Sequence, residues 1–331
     1  MSDLLSKRHF SRRETLAAPL FAQLVLNGCS RNRTPAPERL VSVVRARDYA
    51  ADLTGLVRRL LDAHKVAVRG KRVLLKPNLV EFSAGAPINT HPVFVAAVLE
   101  AFQAAGAAEV VIAEGPGHRR ITMELADGAG FFGAIPGFEK RFVDLNIDEV
   151  SFRRSVKPSS TLTGLYLPRT ALACDLLVSL PKMKTHHWVG ATLAMKNLFG
   201  LVPGSVYGWP KNVLHWAGID ESIVDLHQLF PNQFCLVDGI EGMQGNGPIL
   251  GTAKHAGVVV AGTHPASVDA TCCQIMGIDP SRIKYLDLVS RRTDWSLGDI
   301  RQIGELAQSV YTPFDLPPGF EGWRLPGGVR V

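Results

Sequence analysis

The chain has 331 residues, of which 46% are hydrophobic and 20% are charged, so it is long and apolar enough to bury a sizeable core. The formal net charge of +6 is spread thinly and no stripe of basic and aromatic residues occurs, which argues against a nucleic-acid-binding protein. The five cysteines show no C-x-x-C spacing, so the sequence carries no iron–sulfur or zinc motif.

The first 28 residues are typical of an export signal. Arg12 and Arg13 precede an apolar stretch, residues 16–26, that is too short to span a bilayer. The paired arginines resemble a Tat signal, although Thr15 stands where that pattern prefers Phe. The alternative is an amphipathic helix that carries the two arginines by chance.

A lipobox-like sequence, Leu26-Asn27-Gly28-Cys29, ends this signal and predicts lipidation of Cys29. Residues 29–39 would then form a flexible tether. The expected partners are the Tat and lipoprotein-processing machineries, and the expected location is the periplasm or the outer surface. The lipid would be the sole membrane anchor, because no other hydrophobic segment is long enough to cross a bilayer.

Strand and helix patterns alternate between residues 40 and 311. The predicted strands are Val41–Arg45, Arg72–Lys76, Glu109–Ala113, Asp175–Leu180, Phe234–Val237 and Gly257–Ala261. The predicted helices are Asp52–His64, Pro92–Ala105, Ile219–Leu229 and Pro265–Met276. This alternation predicts an α/β domain with a mostly parallel sheet, or sheets, and helices on both faces, built as one body or as two lobes around a cleft. Residues 121–170 give no clear prediction, and residues 312–331 form a Pro/Gly-rich tail.

Four of the predicted strands are each followed by a polar loop, and loops that follow parallel strands meet at one edge of a sheet. These loops are Lys76-Pro77-Asn78, Glu114 to Arg119, Pro181 to Gly190 and Asp238 to Gly251. The segment from Leu180 to Leu201 is the richest in functional side chains, with Lys182, Lys184, His186, His187, Lys196 and Asn197. A solvated basic loop is the alternative, but this concentration favours a site.

The residue types predict a site for a small anion. Lysine and arginine bind carboxylates and phosphates, which assigns substrate binding to Lys76, Asn78, Arg119, Lys182 and Lys184. Imidazole transfers protons near neutral pH, which makes His118 and His186 the candidate catalytic pair. The glycine-rich loop offers backbone N–H groups to an anion or a cofactor through Gly242, Gly245 and Gly247.

Several of these residues also have an ordinary structural interpretation. His91 precedes a helix and could cap it, with Thr90 as another candidate cap. Asp238 could bind a metal or stop a strand, and Asp269 could face the site or begin a helix. His215 lies in an apolar patch, where a lone histidine is more often a core residue than a ligand.

Seven motifs resemble the signature of domain-of-unknown-function family 362, in the family's order, between about residues 70 and 305. They are KPNLV, THP, EGPG, LVSLPKMKTH, LAMKNLFGLVPG, VDGIEGMQGNGP and VDA. Many members of that family carry an iron–sulfur ferredoxin module, which this sequence lacks. The resemblance implies no particular activity.

A more distant resemblance is to the nickel-pincer lactate racemases. Gly117-His118-Arg119 is similar to their glycine-His-Arg turn, His186 to their Pro-x-His element, Lys196 to the lysine that carries the cofactor, and His215 to the nickel-ligating histidine. The resemblance implies an acid/base pair of His118 and His186, Lys76 or Arg119 at the substrate carboxylate, and a nickel-pincer nucleotide at Lys196. Asn197, next to that lysine, is a further candidate for cofactor binding. Leu193-Ala194-Met195 departs from the family, because glycines that admit a phosphate are expected there.

These observations predict an exported, lipid-anchored enzyme that acts on a small anionic, hydroxy-acid-like substrate by histidine acid/base chemistry of a racemase or epimerase type. Two alternatives remain open at this point. One is a non-catalytic anion- or metal-binding lipoprotein, and the other is a redox protein linked to iron–sulfur partners. The identity of any cofactor is left open as well.

Overall fold

A computed structural model describes residues 39–326 of the chain. The predicted signal, Cys29 and the tether up to residue 38 lie outside these residues. The strands are β1 Arg39–Arg45, β2 Arg72–Pro77, β3 Glu109–Glu114, β4 Phe142–Asp144, β5 Val150–Arg154, β6 Gly164–Pro168, β7 Leu176–Leu180, β8 Lys182–His186, β9 Gly190–Thr192, β10 Gln233–Gln244, β11 Thr252–Gly262 and β12 Ile300–Gly304. The helices are α1 Leu53–Ala63, α2 Pro92–Ala104, α3 Thr122–Gly128, α4 Phe131–Ala134, α5 Arg169–Ala173, α6 Ala194–Asn197, α7 Gly204–Tyr207, α8 Asn212–Trp216, α9 Ile219–Leu229, α10 Pro265–Ile275 and α11 Lys284–Arg292.

One ten-stranded sheet organises the described residues. Its main path runs in the order β12-β1-β11-β10-β7-β2-β3-β4, and β8 pairs with both β10 and β9. The pairings β10–β7, β7–β2, β2–β3 and β3–β4 are parallel, whereas β11 runs antiparallel to both of its neighbours. The sheet is therefore mostly parallel, as predicted.

Alternate side chains of the strands point to opposite faces of the sheet, and each face is covered by helices. Val73 and Leu75 belong to one apolar cluster, together with residues of α1 and α2. Leu74, between them in sequence, belongs to a second cluster that includes residues of α9, α10 and α11. This arrangement confirms the predicted α/β class with helices on both faces.

Local hydrogen bonds explain where two of the predicted helices begin. The Asp52 carboxylate accepts the N–H of Gly55 at 2.7 Å and caps α1. His91 caps α2, because its Nδ1 accepts the N–H of Val93 at 3.3 Å. Thr90 has a different role from the cap considered for it: its hydroxyl donates to the carbonyl oxygen of Leu180 and ties β7 to the segment after β2.

The first part of the glycine-rich segment, up to Gln244, is strand and not the predicted loop, whereas residues 245–251 do form a loop between β10 and β11. The N–H of Asp238 donates to the carbonyl oxygen of Pro181 at 2.9 Å, so β10 continues alongside β8 to Gln244. A Cβ on Gly242 would lie 2.6 Å from the Met183 carbonyl oxygen, which shows that glycine is needed here for close packing. The predicted loop at Pro181 to Gly190 is likewise replaced, over much of its length, by β8.

The two regions without a clear prediction have definite structures. Residues 121–170 contain α3 and α4, the short strand β4, and an antiparallel hairpin of β5 and β6. In the tail, Phe314 is fully buried and Trp323 packs against the second cluster, so its described part, up to residue 326, contacts the body. Within residues 39–326, no helix is long and apolar enough to cross a membrane.

Candidate active site

The predicted loops converge on a cavity of about 690 Å³. Its walls come from the ends of β2 and β3, from β8, from α6 and the 3-10 turn after it, from α8, and from the segment between β10 and β11. The ionisable residues that line it are Lys76, Lys184, Lys196, Lys211, His118, His186, His187, His215 and Glu114. Four lysines therefore border one cavity whose lining, within the described residues, contains a single carboxylate.

Lys76 and Glu114 form a buried ion pair at the ends of the adjacent strands β2 and β3. The Lys76 ammonium also donates to Asn197 Oδ1 at 3.0 Å, and the Glu114 carboxylate accepts the N–H of Gly115 at 2.9 Å. A Cβ on Gly200 would overlap both charged groups, so only glycine fits at that position. Glu114 therefore compensates the charge of Lys76.

Lys184 and Lys211 are buried against neutral oxygens. The Lys184 ammonium donates to Asn78 Oδ1 at 2.7 Å and to the carbonyl oxygens of Ile88 and Pro248 at 2.8 and 3.2 Å. The Lys211 ammonium donates to the carbonyl oxygens of Gly115 and Phe199 at 2.5 and 3.0 Å. Burial lowers the pKa of Lys211 to about 7, and burial together with the neighbouring lysines holds the pKa of Lys184 well below its usual range.

Lys196 is placed differently from the other three lysines. Its ammonium lies 3.7 Å from the centre of the Phe199 ring, and within residues 39–326 it has neither a carboxylate nor a hydrogen-bond partner. Burial, and then the positive charge of Lys76, lower the pKa of Lys196 to about 7. Near neutral pH, a large fraction of this side chain is therefore an uncharged amine that borders the cavity.

The hydrogen bonds of two histidines indicate opposite tautomers. The Nδ1 of His186 accepts the N–H of Trp188 at 3.1 Å, which leaves the proton of a neutral ring on Nε2. The Nδ1 of His215 lies 3.1 Å from the carbonyl oxygen of Lys211, which can only accept, so that ring carries its proton on Nδ1. Burial is the main cause that lowers the pKa of both rings, His186 well below the usual value, so both are neutral at physiological pH.

His118 lies at the rim of the cavity. Its Nδ1 is 3.6 Å from the carboxylate of Glu81, which also binds Arg120 at 2.7 Å. The side chain of His118 is 39% exposed, so this imidazole meets solvent while the ring of His186 is buried. The two predicted catalytic histidines therefore line one cavity in different environments.

A pH-dependent stability test follows from the lowered pKa of Lys196. In the unfolded chain a lysine titrates near 10.5, so between about pH 7 and 10.5 the unfolded state holds more protons than the folded state, and stability rises with pH. Replacing Lys196 with methionine removes this contribution. We expect Lys196→Met to be more stable than the wild type at pH 6, with a difference that shrinks towards pH 10.

This difference is measured by urea unfolding at several pH values, with exposed Lys71→Met as the matched control. The control removes a lysine from the surface and is expected to give no pH-dependent difference. A Lys196→Met effect that stays constant from pH 6 to pH 10 would contradict the assignment of a free amine to the folded protein.

The structure brings together eight of the predicted site residues and separates five others from the cavity. Those that line it are Lys76, Asn78, His118, Lys184, His186, Lys196, Asn197 and His215. Lys182 does not line the cavity: its ammonium is paired with Asp238 at 2.6 Å and also bonds to Tyr49, which leaves it a structural role. Arg119 is exposed and lies 5.9 Å from the centre of the Trp209 ring.

The three predicted cofactor-binding glycines are likewise outside the cavity lining. Gly242 packs against β8, and a Cβ on Gly247 would overlap the carbonyl oxygen of Thr185. Gly245 has a φ of 76°, the left-handed region that favours glycine in a turn. Close packing and backbone conformation explain these glycines, and their neighbours Asn246 and Pro248 line the cavity in their place.

Glu114 and Lys211 are the site residues that the sequence did not identify. Glu114 ends β3, and a carboxylate at the carboxyl end of a buried strand next to Gly115 is a signal that could have been recognised. Lys211 follows a Trp-Pro turn and no motif surrounds it. Its backbone has a φ of 68°, and only the fold shows that its long side chain turns inward to the cavity.

Asp269 fixes the segment that carries Lys196. Its carboxylate accepts the N–H groups of Ala194 and Met195 at 2.8 and 3.1 Å, at the start of α6. These N–H groups are therefore not available to a phosphate, and Leu193, Ala194 and Met195, which stand where the resemblance to the nickel-pincer racemases implies glycines, are fully buried. Lys196 and His215 border the same cavity, but this backbone does not fit the phosphate of such a cofactor.

Metal binding by clustered side chains has no support in the described residues. Within residues 39–326, no group of three or more His, Cys, Asp or Glu side chains is placed to hold a metal ion. Asp238, considered as a metal ligand, is occupied by Lys182 and by the Tyr49 hydroxyl at 2.9 Å. The four cysteines of this region, Cys174, Cys235, Cys272 and Cys273, are free thiols.

Comparison with known proteins identifies a family and one similar curated protein. The sequence model of the family described as domain of unknown function (DUF362) matches residues 73–274. A thylakoid-associated protein of Synechocystis sp. is 29% identical over 300 residues, which cover 86% of this chain and 87% of that protein.

Two solved structures show weaker likenesses. The lactate racemase apoprotein of Thermoanaerobacterium thermosaccharolyticum is 12% identical with a TM-score of 0.45, over 72% of this chain and 57% of that one. A protein from Thermotoga maritima is 12% identical with a TM-score of 0.37, over 75% of this chain and 60% of that one. The chain spans less than two thirds of either, and likenesses this weak imply nothing about its activity.

Proposed function

The chain belongs to the family described as domain of unknown function (DUF362), and we propose that it is an enzyme that binds a small anionic, hydroxy-acid-like substrate in its lysine-lined cavity. The proposed chemistry is proton transfer at a carbon of that substrate by histidines, of a racemase or epimerase type. The observation that supports it most directly is the excess of four lysines over one carboxylate, Glu114, in the cavity lining.

The imbalance of charge favours an anionic ligand for an energetic reason. A buried ammonium without a counter-ion is costly, and the protein meets that cost by lowering the pKa of the lysine or by binding an anion. Lys196 and Lys211 each have a pKa near 7, so each can be an uncharged amine or, next to a bound anion, a charged ammonium. A bound carboxylate would stabilise their charged forms and thereby gain affinity.

The histidine tautomers support a proton donor and a proton acceptor in one cavity. His186 presents Nε2–H, which can donate to an oxygen of the substrate. His215 lines the cavity with its Nε2 unprotonated, and His118 lies at the rim with its Nδ1 3.6 Å from the carboxylate of Glu81. The predicted partner of His186 was His118, and His215 is a second acceptor that the geometry adds. Either acceptor could remove a proton from a substrate carbon and return one from the imidazolium that forms, while the Nε2–H of His186 donates a hydrogen bond to the oxygen on which negative charge develops.

Exchange of carbon-bound hydrogen for deuterium tests this proposal. The protein is incubated in D₂O with small 2-hydroxy and 2-oxo acids, and exchange next to the carboxylate or carbonyl is followed by NMR. We expect exchange in the wild type and a loss of about 100-fold or more in His186→Gln. A similar loss in His118→Gln or in His215→Gln would identify the acceptor.

A matched control for these variants is His255→Gln, because His255 is exposed on β11 and outside the cavity lining. Unchanged exchange in His186→Gln, with the protein folded, would contradict the assignment of this residue as proton donor. Tight binding of anions by a wild type that exchanges none of these acids would favour the non-catalytic binding protein.

We further propose that the protein is exported by the Tat route and tethered through a lipid on Cys29. The support is the sequence alone, namely Arg12 and Arg13, the apolar stretch, and Cys29. The name of the Synechocystis relative places that protein at the thylakoid, which is a membrane association of the relative. The mass of the mature protein from its native host tests the proposal: a lipid on Cys29 as the first residue supports it, and an intact residue 1 contradicts it.

A further inference from the structure

The ammonium of Lys196 is the one cationic group of the cavity lining that the described residues leave without a hydrogen bond or a carboxylate, apart from its contact with the Phe199 ring. We propose that Lys196 is a nucleophile that forms an imine with a small carboxylate bearing a carbonyl group, such as a 2-oxo acid. The inference deepens the proposed function and rests on it, since the same anion site would hold the carboxylate.

The other lysines of the cavity are already committed to protein oxygens. Lys76 is paired with Glu114, Lys184 donates to three oxygens and Lys211 donates to two. A nitrogen held in this way must break hydrogen bonds before its lone pair can attack a carbonyl carbon. Lys196 has no such bonds to break within the described residues, and its side chain is partly exposed at the cavity surface.

The surroundings of Lys196 also favour the uncharged amine, which is the reactive form. Burial and the nearby Lys76 ammonium act against the charged form, as they do in known imine-forming lysines. The Phe199 ring acts in the opposite direction, because an aromatic face attracts a cation.

The reaction balances without an oxidant or reductant. The lone pair of Nζ attacks the carbonyl carbon, the C=O π electrons move to the oxygen, and that oxygen takes up a proton while Nζ loses one. The C–O bond of this carbinolamine then breaks with a second proton added to the oxygen, which leaves as water, and Nζ forms the C=N bond. The second proton comes from solvent, and His186, which lines the same cavity, can donate its Nε2–H as a hydrogen bond to the leaving oxygen.

An imine at Lys196 would serve the proposed chemistry at the adjacent carbon. A protonated C=N group withdraws electrons and acidifies the neighbouring C–H, so a weak base such as an imidazole can remove that proton. The substrate class is therefore a small 2-oxo acid. Its carboxylate would lie in the positive electrostatic field of Lys184 and Lys211, and its carbonyl carbon would lie next to the amine of Lys196.

Reductive trapping with pyruvate tests the inference. The full-length protein is incubated with pyruvate and sodium cyanoborohydride, and the adduct is located by peptide mass mapping. We expect one reduced pyruvate adduct on Lys196, with labelling that rises between pH 6 and pH 8 as the amine loses its proton. Lys196→Arg, which keeps the charge but not the nucleophile, should abolish that adduct, whereas Lys71→Arg at the surface should leave it unchanged.

Pyruvate binding measured by calorimetry in parallel separates failure of this inference from failure of the proposed function. Binding of pyruvate without an adduct on Lys196 would overturn the imine and leave the anion site standing. If pyruvate neither binds nor forms an adduct, both the imine at Lys196 and the proposed anion site are overturned. Labelling spread over surface lysines, or a purified protein in which Lys196 already carries a covalent group together with nickel, would also overturn the imine.

Discussion

Glu114→Gln is expected to lower the free energy of unfolding by about 3–5 kcal/mol, because it leaves the buried Lys76 ammonium without its counter-ion. Glutamine retains the size of the side chain and one oxygen, so the loss measures charge compensation more than packing. The other lysines of the cavity add to the effect, since Glu114 is the sole carboxylate among the described residues that line it.

Two further variants make this expectation specific. Glu149→Gln, which removes an exposed carboxylate paired with Arg169, is expected to change stability by less than about 1 kcal/mol. The double variant Glu114→Gln, Lys76→Met should recover part of the loss, because it also removes the unpaired charge. A Glu114→Gln protein as stable as the wild type at pH 7 would show that Lys76 is not charged in the folded state.

Asp269→Ala is expected to destabilise the protein by at least about 2 kcal/mol, because it leaves two buried N–H groups, of Ala194 and Met195, without an acceptor. It should also disturb the site, since α6 carries Lys196 and Asn197. We therefore expect weaker trapping at Lys196 in this variant even under conditions where it remains folded.

Urea unfolding and reductive trapping of the same preparation test both parts. Asp287→Ala is the matched control, because that carboxylate lies on α11 and pairs with Arg291, an exposed side chain one turn away. Asp269→Asn keeps one acceptor oxygen and should be intermediate in stability. Unaltered stability of Asp269→Ala would mean that the start of α6 does not depend on this carboxylate.

The sequence predicted the parts of the fold that rest on local patterns. The strand over Arg72–Lys76 and the helix over Ile219–Leu229 were recognised from apolar runs and helical periodicity, and the structure has β2 at Arg72–Pro77 and α9 at Ile219–Leu229. It failed at β8, where a run with three ionisable side chains, at Lys182, Lys184 and His186, is completely buried. Burial of that strand depends on partners far away in sequence, such as Asp238, which no local pattern reveals.

The same limit applies to the candidate site. Because loops that follow parallel strands converge, the order of strands and loops in the sequence was enough to place Lys76, His118 and His186 near one another. It could not separate Lys184, which borders the cavity, from Lys182, two residues earlier, which is neutralised by Asp238. Nor could it find Lys211, because only the fold brings that side chain to Gly115 and Phe199.

The central claim, an anion site made by lysines with lowered pKa values, is tested most directly by calorimetric titration with L-lactate and pyruvate. The titration is done at pH 8 and low salt in two buffers of different ionisation enthalpy, which reveals protons taken up on binding. We predict binding with net proton uptake, because a bound carboxylate raises the pKa of Lys196 and Lys211 from about 7. We also predict a loss of affinity of about 10–100-fold in Lys211→Met but not in surface Lys71→Met. Absence of binding would contradict the claim. So would binding that involves no proton uptake and whose affinity is the same in Lys211→Met.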